Sequence, residues 1–227
     1  MKPAAVVFDV FGTIAQIGGN RLKPYLQLFR LLKKYGREPQ SDDSSIIMTS
    51  NEGMIGIAEK LGIRSLANFS DEWMNQLAAI EQDLYTELES VQLFKDTPGV
   101  IEQLQGLGIR VGLCSNLARP YSMPIINALR AHGIIMDNIF WSWQAGLIKP
   151  DPRMYAHICH SMNLAPHQIL FVGDSHDCDV TGPCKFGMKS MLIDRTTPGG
   201  LAELLESILK PPIQAPQHSA SLTQYVN

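Results

Sequence analysis

The chain has 227 residues, 45% hydrophobic and 18% charged, which is the composition of a packed globular protein and not of a disordered one. Its 19 Lys and Arg against 22 Asp and Glu give a formal charge of −3, so no basic surplus draws it onto nucleic acid. No apolar run reaches the roughly 18–20 residues of a membrane span, and Asp9 interrupts the short run Ala4–Phe8, so neither a membrane segment nor a signal peptide is expected.

Ala4–Phe8 is apolar on both faces and β-rich, and it stops at Asp9 before the turn-prone Gly12-Thr13. Such a run predicts a buried parallel strand. From about Gln16 to Phe94 the pattern changes. Leu22, Tyr25, Leu26, Phe29 and Leu32 recur at helical spacing, as do Ile55, Ala58 and Leu61, then Trp73, Leu77, Ile80 and Leu84. Strand-like runs are missing there, and the Ser/Asp cluster Ser41–Ser45 reads as a loop between helices. A helix is predicted from Thr97-Pro98, with Thr97 as N-cap, to Gly108. Strand runs then return at Ile109–Cys114, Ile139–Trp141, Ile169–Val172 and Ser190–Ile193, separated by helical patterns over Met123–Ala131, Pro152–Met162 and Val180–Phe186. Alternation of this kind predicts an α/β fold with a doubly wound parallel sheet. The expected organisation is an α/β core over residues 1–15 and 95–210, a helical cap over 16–94, and a loose C-terminal tail over 211–227.

The four cysteines, Cys114, Cys159, Cys178 and Cys184, form no C-x-x-C pair and no zinc spacing. They are expected as free thiols in a reducing compartment, which points to the cytoplasm.

Ligands of an open parallel sheet bind beyond the carboxyl ends of its strands. Four segments deliver polar residues there: Asp9 after the first strand, Ser115-Asn116 after the second, Lys149 in the loop after the third, and Asp174 after the fourth. Singly, each has an ordinary structural use, as a cap, a turn residue or a solvated charge. Their convergence on one edge is the signal.

The segments Phe8-Asp9-Val10-Phe11-Gly12-Thr13, Leu113-Cys114-Ser115-Asn116, Lys149-Pro150-Asp151 and Val172-Gly173-Asp174-Ser175-His176-Asp177-Cys178-Asp179 resemble, in order, the four motifs of the haloacid dehalogenase-like (HAD) hydrolase superfamily. The resemblance covers nearly the whole chain before the tail, and the helical insertion falls where that family carries its cap. It implies a Rossmann-like core and a hydrolase, most often a phosphatase of small phosphorylated metabolites. Asp9 would be the nucleophile, forming a covalent aspartyl intermediate. Lys149 would offset charge at Asp9 and, with Ser115 and Asn116, hold the transferring group. Asp9, Asp174, Asp179 and the carbonyl of Phe11 would hold Mg²⁺.

One position departs from the phosphatase pattern. Where those enzymes carry a second aspartate, two residues after the nucleophile, this chain has Phe11, which cannot move a proton. Acid–base assistance is worth about 10²–10⁴-fold. His176 or Asp177 are alternative donors. An aromatic at this position resembles the 2-haloacid dehalogenase branch, which uses no metal. Against that branch stand the acidic fourth motif and the absence of a matching cap-arginine motif around Arg21, Arg30 or Arg37. A third reading is a degenerate member that binds a phosphorylated ligand and turns it over little. Among other residues, His157, His160 and His167 read as surface or packing histidines, Trp141 and Trp143 as packing or pocket-entrance residues, and Tyr155 as one that could reach the site.

Overall fold

A computed structural model describes residues 2–19, 21–63, 71–196 and 200–209; the expected tail at 211–227 lies outside the described residues. Five strands, β1 (Ala5–Phe8), β4 (Arg110–Ser115), β5 (Asn138–Trp141), β6 (Ile169–Gly173) and β7 (Lys189–Leu192), form a parallel sheet in the order β5-β4-β1-β6-β7. β1 is central because both of its faces are apolar. Ala5 and Val7 point to one side and Val6 and Phe8 to the other, each fully buried. The first pair joins Met154, Ile158 and Met162 of α8 (Pro152–Met162) in one core. The second pair joins residues of α5 (Thr97–Gly106), α6 (Ser122–Ala131) and α10 (Ala202–Leu209) in the other. Helices on both faces of a parallel sheet are the doubly wound fold that the alternating pattern predicts.

The register sets the functional edge. Phe8 pairs with Leu113 on one side and Val172 on the other, so β1, β4 and β6 end almost level. Asp9, Ser115 and Asp174 therefore emerge together.

The segment between β1 and α5 contains α1 (Pro24–Lys34), α2 (Asp43–Thr49), α3 (Met54–Lys60) and α4 (Asp71–Glu89). Two expectations fail here. Strands were not expected, yet β2 (Ala15–Ile17) and β3 (Val91–Leu93) pair antiparallel where the chain leaves and re-enters the sheet region. Three residues each are too few to register as a period in the sequence. Ser44 and Ser45, expected in a loop, lie in α2, where Ser and Asp occupy the first turn that suits them. Two smaller corrections concern later elements. Thr97 does not cap α5; its hydroxyl donates to the Ile14 carbonyl at 2.8 Å. The helix expected over Val180–Phe186 instead starts earlier, as a π-helical turn at His176–Thr181 that runs into α9 (Gly182–Phe186). All four cysteines are free, and no helix of the described residues is long and apolar enough to cross a membrane.

Candidate active site

Asp9 follows β1 directly, its N–H bound to the Val172 carbonyl at 2.8 Å, so the sheet ladder itself aims the carboxylate. It is 8% exposed. Lys149 is buried and its ammonium donates to Asp9 Oδ1 at 2.8 Å and to Asp179 Oδ1 at 2.7 Å. The same ammonium lies 5.1 Å from the centre of the Phe171 ring. Burial disfavours this charge, but the carboxylates of Asp9 and Asp179 outweigh it and hold the lysine pKa above its ordinary value. Lys149 is thus a fixed cation and not a proton donor near neutral pH.

Carboxylate oxygens of Asp9, Asp174 and Asp179 lie within 4.8 Å of one another. Two such charges repel by about 3 kcal/mol at an effective dielectric of 20. One ammonium among three carboxylates leaves the cluster negative. The burial of Asp179 and its proximity to Asp9 raise its pKa, against the pull of Lys149. Asp174 is more open to solvent, yet what burial its carboxyl has, with the charges of Asp9 and Asp179, raises it too. Hard oxygen donors with surplus negative charge are what a divalent cation such as Mg²⁺ suits. Asp179 already has Oδ1 on Lys149 and Oδ2 on the Ser175 N–H, which leaves Asp174 and Asp9 with the more open oxygens.

The backbone around the cluster is shaped for close approach. Gly12 has φ +82°, and a Cβ there would overlap the Asp174 carboxylate; a Cβ on Gly173 would overlap that of Asp179. Asn116 places both ends of its amide on one residue, Nδ2 donating to the Lys149 carbonyl and Oδ1 accepting from its N–H, each at 2.8 Å. Ser115 is the buried last residue of β4. Tyr155 does not reach the cluster with its hydroxyl, which donates to the Cys178 carbonyl at 2.6 Å and so braces the π-helical turn carrying Asp179.

Beside the cluster lies a cavity of about 240 Å³, with Phe11, Asn116 and Tyr121 on the sheet side and Arg21, Tyr25, Phe29, Met48 and Glu87 on the helical side. The Phe11 ring stands edge-on to Tyr121, centroids 5.6 Å apart at 86°. Tyr121 donates its hydroxyl to buried Glu87 Oε1 at 2.7 Å, while Glu87 Oε2 accepts from the Lys23 N–H. Burial, then this bond, raises the Tyr121 pKa.

Of the three arginines considered, Arg21 reaches the cavity wall, Arg30 is exposed on α1, and Arg37 is paired with buried Asp43. His176 and Asp177 face solvent, their side chains 72% and 88% exposed. Among the described residues no histidine joins a metal-capable cluster, and His157 packs edge-on against Phe140. Trp141 is buried in the core and Trp143 lies under Arg119; neither lines the aromatic cavity. Several contributors carry no sequence motif. Glu87 and Tyr121 belong to distant elements. Arg195, after β7, donates from Nε to the Thr13 carbonyl at 2.7 Å, pairs with Asp96 and stacks on Phe94, so it steadies the Asp9 loop from behind.

Residues 3–184 match the haloacid dehalogenase-like hydrolase family. The chain belongs to that family. Over 124 residues this HAD-like hydrolase is 32% identical to a phosphoglycolate phosphatase of Nitrosospira multiformis, a match taking in 52% of this chain and 54% of that one. It is 24% identical over 116 residues to (S)-2-haloacid dehalogenase 4A of Burkholderia cepacia, covering 51% and 49%. The chain thus spans about half the length of these curated relatives. Among solved structures, the HAD-hydrolase YfnB from Bacillus subtilis, bound to magnesium, shares the fold with a TM-score of 0.57 over 92% of this chain and 99% of that one, at 16% identity.

Proposed function

We propose that this HAD-like hydrolase is a metal-dependent phosphatase of a small phosphorylated metabolite, with Asp9 as nucleophile. One observation carries the reading: three carboxylates share a space of 4.8 Å at a sheet edge, with a buried ammonium bridging two of them. A relative named as a phosphatase supports it. Asp9 attacks phosphorus, the ester P–O bond breaks, and its electron pair departs with the leaving oxygen. Water then attacks the aspartyl-phosphate, releasing inorganic phosphate and restoring the carboxylate. Lys149 orients Asp9 throughout and, with Ser115, binds the phosphoryl oxygens; Asn116 holds the Lys149 backbone in place and borders the substrate. Asp9, Asp174, Asp179 and the Phe11 carbonyl would hold Mg²⁺, whose charge would offset that of the carboxylates and of the phosphate.

A second reading follows from Phe11 and from the dehalogenase relative: a 2-haloacid dehalogenase acting through an aspartyl ester without metal. The two readings separate in one assay. Phosphate release from p-nitrophenyl phosphate and acetyl phosphate, lost in EDTA, is expected. Chloride release from 2-chloropropionate in EDTA, without phosphate release, would replace it with the dehalogenase. Thermal stabilisation by phosphorylated ligands with no turnover of any substrate would leave a binding-only member of the family.

A further inference from the structure

Resting on the reading of Asp9 as a phosphoryl acceptor, we infer that the substrate is a small aryl phosphate, selected jointly by Phe11 and by the aromatic cavity beside Asn116. Phe11 stands two residues after Asp9, and its ring forms part of the cavity wall, so an apolar edge replaces a proton donor next to the reacting centre. Neither of the alternative donors that the sequence offers makes good the loss. His176 and Asp177 are 72% and 88% exposed, and their charged atoms lie 3.8 Å from each other. The Tyr121 hydroxyl is engaged by Glu87, and the second oxygen of Glu87 by Lys23.

The leaving oxygen must therefore carry off its charge unaided. A phenol, as acidic as a tyrosine side chain at about 10, does so far more readily than an alcohol, which is closer to water at about 15.7. In the bond-breaking step the Asp9 carboxylate bonds to phosphorus, the P–O bond to the ring oxygen breaks, and the phenolate leaves with the electron pair. It takes its proton from water after release.

The shape of the cavity agrees. Its volume of about 240 Å³ is lined by the rings of Phe11, Tyr25, Phe29 and Tyr121. A dry cavity of about 150 Å³ suffices to bind benzene, so a substituted ring has room here. Rings pack against rings edge-on or offset, and four of them give a flat ligand such contacts.

The test is a series of phosphate monoesters given to the magnesium-loaded protein: p-nitrophenyl, phenyl and glycerol phosphate. kcat/KM is expected to rise with the acidity of the leaving alcohol, aryl above alkyl by about 10²–10⁴-fold, the value of the missing acid. Phe11→Asp should narrow that gap by raising the alkyl ester. Because this variant gives up a ring contact, binding supplies a second readout that does not depend on it. Calorimetric titration of Asp9→Asn with phenyl phosphate and with glycerol phosphate should show tighter binding of the aryl ester. Equal turnover of alkyl and aryl esters, or equal binding, would overturn the inference and leave the phosphatase reading standing. Failure to release phosphate from any ester would remove both.

Discussion

Asp9 and Asp174 follow directly on hydrogen-bonded strands and Asp179 sits in the π-helical turn beyond β6, whereas half of the cavity beside them comes from helices that meet the sheet region through a shared apolar core and a few polar ties. In the cluster the main chain is held at nearly every step: Asp9 by Val172, Lys149 by both ends of Asn116, Asp179 by Ser175. Across the cavity the ties are fewer. Ser142 donates to the Met48 carbonyl at 2.6 Å, Arg119 to the Asn51 carbonyl at 2.9 Å, and Tyr121 to Glu87. The candidate catalytic groups are thus mounted on the densely hydrogen-bonded layer, where an error of about 1 Å can cost 10²-fold in rate.

Three substitutions sharpen this contrast. The largest effect is expected at the proposed nucleophile: Asp9→Asn should lower turnover by about 10⁴-fold or more while circular dichroism stays native. Retained activity would remove the covalent step. Next, Asn116→Ala should strip Lys149 of both main-chain restraints and lower kcat by about 10²-fold, with a much smaller change in thermal midpoint. A loss of stability with kcat unchanged would mean that the Lys149 loop holds its place without it.

The third variant acts on the helical side, through stability. Arg37 holds buried Asp43 below the ordinary carboxylate range, with help from the Gln40 N–H and against the cost of burial. A pKa lowered by folding contributes stability that is complete above the unfolded value of about 4 and is lost as pH falls through the folded value. Asp43→Asn should cost about 3 kcal/mol at pH 7, because Arg37 is left without its partner in a largely buried place. It should also flatten the loss of stability below about pH 4 in urea titrations, with catalytic constants at pH 7 changing little. An undiminished acid slope would assign that slope to other carboxylates.

The site was legible where strand ends carry the chemistry. A parallel sheet gathers its strand termini at one edge, which puts Asp9, Ser115, Lys149 and Asp174 together on sequence grounds alone, and the structure brings Asp9, Lys149, Asp174 and Asp179 into contact range. What escaped notice lacks a local pattern. β2 and β3 are too short to show a period, and the π-helical turn at His176–Thr181, in which Asp179 Oδ2 accepts from the Ser175 N–H, carries no periodic signal either. Glu87 lies on α4 with no motif around it, and its partner Tyr121 arrives from another segment.

Strand and helix order, the faces of β1 and the delivery of Asp9 to the sheet edge follow from the linear chain, because periodicity and strand termini are local properties. The aromatic cavity, the locking of Lys149 by Asn116 and the support of the Asp9 loop by Arg195 were decided only in three dimensions. Each joins residues far apart in sequence, and no local propensity encodes which distant partners will meet.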